Sequence, residues 1–445
     1  MKHKKLFALL AVVAVLVAGY FLTAATFPKN LNRYPLMVFL LLLDYYVWGL
    51  FKKKVYTYSK LVKTLSAVFY WFPLMLLVIA TASGLFVKST DWSPLLRNLV
   101  FGTVFIFYTT KLVMALILGF ADLFKFSRLL LRLGSPNCKS KGDAPKEGIS
   151  RSRFMEQAAL LTGGLMVTTM FTGMFRWVHD FDLKRVFIRL KNLPDSFDGY
   201  RILQLSDLHL GTWSGTAALE EAVEMINQEE VDLVVFTGDL VNYTTEEAYR
   251  FKDVLSQIKA KDGVLAILGN HDYGDYVNWP SKAEKQKNME SLYRFYQEIG
   301  WKLLRNENYV LEREGEKLAV IGVENWSVNE RFPRHGNILK ASKGIGKVPA
   351  KILLSHDPSH WSAAVLTQHH DIGLTLSGHT HGFQFGIELP GLKWSPAQYV
   401  YQHWAGQYEN SETEQVLYVN RGIGSIGYPG RIGILPEITV IELKS

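Results

Sequence analysis

The stretch RILQLSDLH (residues 201–209) reads as a short apolar strand, Arg201–Ser206, that runs directly into Asp207-Leu208-His209. Four more strands downstream end the same way. Val231–Thr237 (VDLVVFT) runs into Gly238-Asp239, and Val264–Leu268 into Gly269-Asn270-His271-Asp272. Lys351–Leu354 ends in Ser355-His356-Asp357-Pro358, and Ile372–Leu376 in Ser377-Gly378-His379-Thr380-His381-Gly382. Helix-like runs, Ala217–Glu229 and Ala248–Ile258, separate the first three, and Lys317–Val323 is a further strand. Alternation of this kind predicts an α/β domain. In such domains polar groups gather where the carboxyl ends of strands meet loops, so distant clusters can converge on one patch.

Taken singly the clusters are weak. An isolated Asp-x-His or Gly-Asp is more often surface or turn than ligand. Gly-Asn-His-Asp is sharper, because three polar side chains after an apolar strand are costly unless paired or exposed. Gly238, Gly269 and Gly378 permit tight turns that re-aim a neighbouring side chain. His360, His369, His370 and His403 stand alone and read as solvated or hydrogen-bonded. It is the full ordered series that points to a metal site.

That series, Asp207-x-His209, Gly238-Asp239, Gly269-Asn270-His271-Asp272, His356 and Gly378-His379-x-His381, resembles the signature of calcineurin-like metallophosphoesterases over roughly residues 187–445. The ending Asn420-Arg421-Gly422-Ile423-Gly424, Gly430-Arg431 and Pro436-Glu437-Ile438 is similar to the membrane-associated bacterial branch of the YkuE/YaeI type, some of which carry a multi-span N-terminal region. The resemblance implies two β-sheets in a sandwich flanked by helices, with a dinuclear site at the strand ends. It places Asp207, His209 and His381 on one divalent ion, Asn270, His356 and His379 on the second, and Asp239 between them. His271 would be catalytic, with Asp272 orienting it. The ligands leave the two ions open among manganese, iron and zinc.

Other residues carry alternatives. Arg421 and Arg431 suit phosphate recognition, and equally suit pairing with acids. The segment Phe383–Tyr408 is dense in aromatics, with Phe385, Trp394, Tyr399, Tyr401, Trp404 and Tyr408. Most read as core; a hydrophobic wall for a lipid-like substrate is the other reading.

Outward from this domain the texture changes. Residues 1–183 carry 22 Lys and Arg against 8 Asp and Glu, a net charge of +14, whereas residues 184–445 carry 27 against 33, a net of −6. The positive charge lies between apolar runs, where it orients membrane spans rather than binding nucleic acid. Spans are expected at Leu6–Phe27, Leu36–Phe51, Leu65–Val87 and Asn98–Phe120, with a fifth at Ala158–Phe175. About 20 residues are needed to cross a bilayer. The second of these carries Asp44 and the fourth Lys111, which has to face other helices or an interface. Residues 134–157 read as a polar cytoplasmic linker, and residues 1–24 also fit a signal peptide. Cys138 is the single cysteine, so no intrachain disulfide forms.

With the N-terminus in the cytoplasm, 16 basic residues fall inside and 4 outside, and five spans deliver residues 184–445 to the outer face. If 158–175 does not cross, the domain is cytoplasmic. The expected molecule is a multi-pass membrane phosphoesterase acting on a phosphodiester or phosphomonoester, lipid-linked or of the envelope. A pyrophosphatase acting on a UDP-linked diacylglucosamine in lipid A synthesis needs a cytoplasmic site. A metal-stabilised scaffold or sensor is the non-enzymatic alternative.

Overall fold

A computed structural model of the chain describes residues 2–84, 86–87, 91–133 and 151–445. The chain divides into two compact units, one of Met1–Ser89 with Thr103–Thr168, the other of Thr90–Gly102 with Thr169–Ser445.

The first unit is helical. Its helices are α1 (Lys2–Thr26), α2 (Tyr34–Val55), α3 (Lys60–Ser83), α4 (Pro94–Leu133) and α5 (Arg151–Phe175), the last two extending into the second unit. Among the described residues, four stretches are long and apolar enough to cross a membrane: Leu31–Lys52, Lys60–Ser83, Pro94–Ser127 and Arg153–His179. Val12–Thr26 is a shorter apolar helix. Large apolar side chains such as Val15, Phe21, Leu61 and Leu116 point outward, the reverse of a helix in water. Asp44 and Lys111, expected as separate intramembrane charges, pair with one another, and Tyr108 donates to Asp44 at 2.7 Å. A charge in hydrocarbon is tolerated where a partner offsets it. Helix α5 starts at Arg151, inside the stretch expected as linker; residues 134–150 of that linker lie outside the described residues.

The second unit is a sandwich. One sheet has the order β1 (Asp182–Arg189), β14 (Glu437–Lys444), β2 (Arg201–Leu205), β3 (Leu233–Phe236), β4 (Val264–Ala266) and β5 (Lys302–Leu303). The other runs β12 (Gly406–Glu409), β13 (Val416–Val419), β9 (Leu374–Ser377), β8 (Ala350–Leu354), β7 (Glu316–Gly322) and β6 (Glu307–Arg313). A separate hairpin is made by β10 (Ile387–Leu389) and β11 (Leu392–Trp394). Strands β2, β3 and β4 are parallel, as are β7, β8, β9 and β13.

Alternation along the strands builds the layers. Ile202, Leu233, Val235 and Leu265 face Leu318, Val320, Ile352 and Leu374 of the other sheet. Leu203, Leu205, Val234 and Phe236 instead face α6 (Ala217–Gln228) and α9 (Lys282–Glu298). Strands buried on both sides read as continuous apolar runs, which is why they were visible in the sequence. The run at 248–258 forms two single turns, α7 (Glu246–Tyr249) and α8 (Lys252–Leu255), rather than one helix. Gln204 Nε2 donates to Thr237 Oγ1 and to the Ser377 carbonyl, at 3.1 and 2.9 Å, tying the sheets together where β2, β3 and β9 end.

Candidate metal centre

The carboxyl ends of β2, β3, β4, β8 and β9 open onto one patch, and the residues after them turn abruptly. Asp207, His209, Asp239, His379 and His381 all have φ between 46° and 72°. Left-handed backbone at five non-glycine residues in one place costs free energy, and such strain concentrates at functional sites. Two glycines make room for it. A Cβ on Gly269 would meet Asp239 Oδ1 at 2.2 Å, and one on Gly378 would meet Asp207 Oδ2 at 2.4 Å.

Two groups of donors result. Asp207, His209 and His381 form one, and Asp239, His356 and His379 the other, with donor atoms inside each lying within 4.8 Å of one another. In the first, His209 Nε2 is 3.1 Å from His381 Nε2, which is 3.2 Å from Asp207 Oδ1. In the second, His356 Nε2 is 3.2 Å from Asp239 Oδ2. The same Asp239 oxygen is 3.6 Å from His209 Nε2, so one carboxylate oxygen stands between the groups. Asn270 is buried beside them and its Oδ1 has no hydrogen-bond partner. An orphaned buried carbonyl oxygen and imidazole nitrogens converging on carboxylates are what a pair of cations would satisfy. The donor set therefore fits two divalent ions.

Charge in the metal-free chain is settled among these groups. Burial holds His209 well below the usual imidazole range, against the pull of Asp239, and it lowers His379 as well. Burial also lowers His356, but Asp239, then Asp207 and the Thr237 carbonyl, outweigh it and push that imidazole up to about 10. A folded value above the unfolded one near 6.5 means a stabilising charge that is fully present below about 6.5 and lost as pH rises through about 10. A metal ion has to displace that proton. Loading is therefore expected to release protons and to tighten as pH rises. Calorimetry in buffers of different ionisation heat measures this, and buffer-independent heats would contradict it.

His271 lies at the rim. Its Nδ1 is 2.9 Å from the Asn242 carbonyl, its N–H donates to Asp239 Oδ1 at 2.8 Å, and its ring stacks on Tyr276 at 4.3 Å. The orienting group is thus the Asn242 carbonyl, not Asp272 as expected. The carboxylate of Asp272 is fully buried and accepts the backbone N–H groups of Asp239, Leu240 and Gly269 at 2.9 Å and of Val241 at 3.3 Å. It ties the turn carrying Asp239 to the turn carrying Asn270. Asp272→Ala would strand these N–H groups, at about 1–3 kcal/mol each. That variant should lose metal and regain turnover in excess metal; unimpaired metal affinity would refute this role.

Arg421 and Arg431, whose side chains suit phosphate by type, are engaged elsewhere. Arg421 pairs with Glu437 and Glu388, and Arg431 donates to the carbonyls of Arg421, Gly422 and Gly424. Both are fully buried, so neither is free to take a phosphate. They hold the loop whose Ile423 and Gly424 N–H groups donate to the carbonyls of Ser206 and Asp207, at 3.0 and 2.9 Å.

Several residues at the site carried no signal of their own. Asn270 Nδ2 donates to Tyr276 Oη at 2.8 Å, Tyr401 Oη is 3.3 Å from His379 Nε2, and Asp357 is 3.5 Å from the same nitrogen. Asp357 could have been found, because it adjoins His356. His360 behaves as expected of a lone histidine: it is buried on Trp326 and hydrogen-bonded to Ser355 at 2.9 Å. On another edge, Arg97 and Asn98 of α4 donate to the carbonyls of Gly211 and Thr212, in the turn after His209.

Residues 200–383 match the family model described as calcineurin-like phosphoesterase, and residues 30–177 match that described as probable calcineurin-like phosphoesterase, transmembrane domain. The chain is 32% identical over 263 residues to the transmembrane protein with metallophosphoesterase domain of Danio rerio, a match covering 58% of this chain and 56% of that one. It is 31% identical over 260 residues to the metallophosphoesterase YkuE of Bacillus subtilis, covering 58% of this chain and 84% of the relative. The corresponding protein of Bos taurus is 29% identical, with 63% and 62% covered. The chain thus spans little more than half the length of the longer relatives.

Proposed function

The chain belongs to the calcineurin-like metallophosphoesterases, membrane-anchored and metal-dependent, and on that premise we propose that it hydrolyses a phosphate ester carried by the membrane or envelope at its outer face. The observation that carries the reading is the position of Asp239 Oδ2, within 3.6 Å of a histidine from each donor group. Asp207, His209 and His381 would hold one ion and Asn270, His356 and His379 the other, with Asp239 shared. Manganese, iron and zinc all suit mixed nitrogen and oxygen donors. When bound, such a pair offsets charge on the phosphoryl oxygens and lowers the pKa of bound water.

The chain's own groups do the rest. The Asn242 carbonyl holds a proton on His271 Nδ1, which leaves Nε2 as the atom that, having taken a proton from water, can give it to the departing oxygen. Stacking on Tyr276 holds the ring in place, 4.9 Å from that of His209. His271→Ala is expected to lower kcat about 10²–10⁴-fold while metal content is retained. An unchanged kcat would remove His271 from the reaction.

The test of the reading is turnover of bis-p-nitrophenyl phosphate and p-nitrophenyl phosphate by the full chain in detergent, with manganese, iron or zinc added. Metal-dependent hydrolysis supports it, and the ratio of the two substrates separates diester from monoester preference. No turnover by folded, metal-loaded protein would sink it for simple esters. Placement at the outer face rests on the charge balance of the loops. In a Cys138→Ser background, an impermeant thiol reagent should label Lys347→Cys, an exposed position of the catalytic domain, in intact cells. Labelling only in opened cells would put that domain inside.

A further inference from the structure

The hairpin β10–β11 is exposed on both faces, and one of them is apolar. Its paired residues share faces, Ile387 with Trp394, Glu388 with Lys393 and Leu389 with Leu392. The polar face is the anchored one: Glu388 pairs with Arg421 and Lys184, and Lys393 donates to the Ala405 carbonyl at 2.6 Å. The apolar face looks outward, with Leu389 60% and Leu392 51% exposed. Ile387 is exposed on the same face, and Phe385 meets Trp394 of that face at 6.2 Å. Phe383, Tyr399 and Val400, close by in the chain, are exposed as well, Tyr399 at 76% and Val400 at 65%. A hairpin open to water on both faces normally carries polar side chains on each. An outward group of large apolar side chains of this kind marks a place that something apolar covers.

The hydrogen-bond network says what covers it. The base of the hairpin is bonded to the segment after Tyr428, through Gly386 N–H to the Ile432 carbonyl at 2.9 Å and Ile432 N–H to the Gln384 carbonyl at 2.8 Å. That segment is in turn bonded to the last turns of α5, through Arg431 N–H to the Gly173 carbonyl at 3.2 Å and through Tyr428 Oη to the Met170 carbonyl. The packing there is close: a Cβ on Gly173 would meet the Arg431 carbonyl at 2.4 Å. Gly173 belongs to the apolar stretch Arg153–His179, within about two turns of its end. The hairpin is thus joined, through residues 428–432, to the carboxyl end of an apolar stretch long enough to cross a membrane. It is also continuous with the catalytic patch, because Phe383 follows His381 and Gly382, and its ring meets Tyr401 at 6.0 Å.

We propose that the outward face of β10–β11, with Phe383, Phe385, Tyr399 and Val400, is a membrane-docking surface seated in the interfacial layer of the lipid bilayer. Aromatic and aliphatic side chains together suit that layer. Docking there would fix the catalytic patch against the lipid surface, so that a phosphate ester at headgroup level reaches it without leaving the bilayer. The docking stands whether or not the site's substrate is a lipid.

The experiment uses the full chain in a Cys138→Ser background, reconstituted in phosphatidylcholine–phosphatidylglycerol vesicles. A polarity-sensitive fluorophore is attached at Leu389→Cys and, for comparison, at Lys347→Cys, an exposed position at the amino end of β8, away from the strand ends that carry the site. Interfacial segments lie roughly 5–10 Å into the headgroup and acyl boundary, so a lipid with a nitroxide near its glycerol should cut emission from position 389 about twofold and leave 347 unchanged. Water-like, unquenched emission from 389 overturns the proposal. Blue-shifted emission that the nitroxide does not quench means that protein, such as a second copy, covers the face, and overturns it too. Matching thermal transitions of labelled and parent protein verify the fold, and the readout does not depend on catalysis.

Discussion

Asp239→Asn is expected to lower kcat/KM by roughly 10³-fold or more, a loss of about 4 kcal/mol in transition-state stabilisation. The substitution is nearly isosteric, so the fold should survive. What changes is the charge of the oxygen that stands 3.2 Å from His356 Nε2 and 3.6 Å from His209 Nε2. An amide would not offset two cations as a carboxylate would, and the oxygen standing between the two donor groups loses its charge. Metal content by mass spectrometry, read beside turnover of a nitrophenyl ester, separates the outcomes. Loss of both metal and activity supports the shared position. Full metal content and wild-type turnover would mean that Asp239 serves the turn and not the ions. Stripping the wild-type protein with a chelator should reproduce the loss, and adding metal back should reverse it.

Arg421→Ala is expected to destabilise the catalytic unit by about 3–5 kcal/mol, because it leaves Glu437 as an unpaired buried carboxylate. Glu437 also accepts from Tyr418 at 2.8 Å and Thr439 at 2.6 Å. These hydrogen bonds soften the loss but do not supply a counter-charge. Burial by itself would raise the Glu437 carboxyl, but Arg421 and the hydroxyl donors outweigh it and hold the group below its usual range. A lowered folded value means stability that is present above the unfolded value near 4.3 and lost as pH falls through the folded one. Denaturant midpoints of wild type and variant should therefore differ most near neutral pH and converge in acid. A variant as stable as wild type at pH 7 would refute the structural reading of Arg421.

The series of clustered ligands was legible because of how β/α strands are buried. Strands such as Val231–Thr237 are apolar on both faces, so the polar residues that follow them stand out against the run. Helix α6 was legible from its period, and four of the five expected apolar spans from length and composition, the first being shorter among the described residues. The domain edge was less so. It was expected at residue 184, whereas β1 begins at Asp182 and pairs along its whole length with β14, the last strand. Residues 90–102 and 169–181 cluster with the catalytic domain as well. A fragment cut at 184 would lose two residues of β1 and the bonds from Arg97 and Asn98 to the turn after His209. Such contacts join residues more than a hundred positions apart and leave no periodicity to read.

The sequence by itself determined the kind of chemistry and the class of fold, since ligand types at strand ends and apolar runs of set length are local properties of the chain. It could not decide what each polar residue near the site does. In the tertiary structure Asp272 serves backbone N–H groups, and Asn242 holds His271 instead, through a carbonyl that every residue possesses. Arg421 and Arg431 became loop supports for the same reason. A charged side chain takes the partner that folding puts within reach, and a buried one cannot afterwards serve a substrate. The outward apolar face of β10–β11 was likewise undecided, because alternation marks two faces and only packing determines which one meets the core.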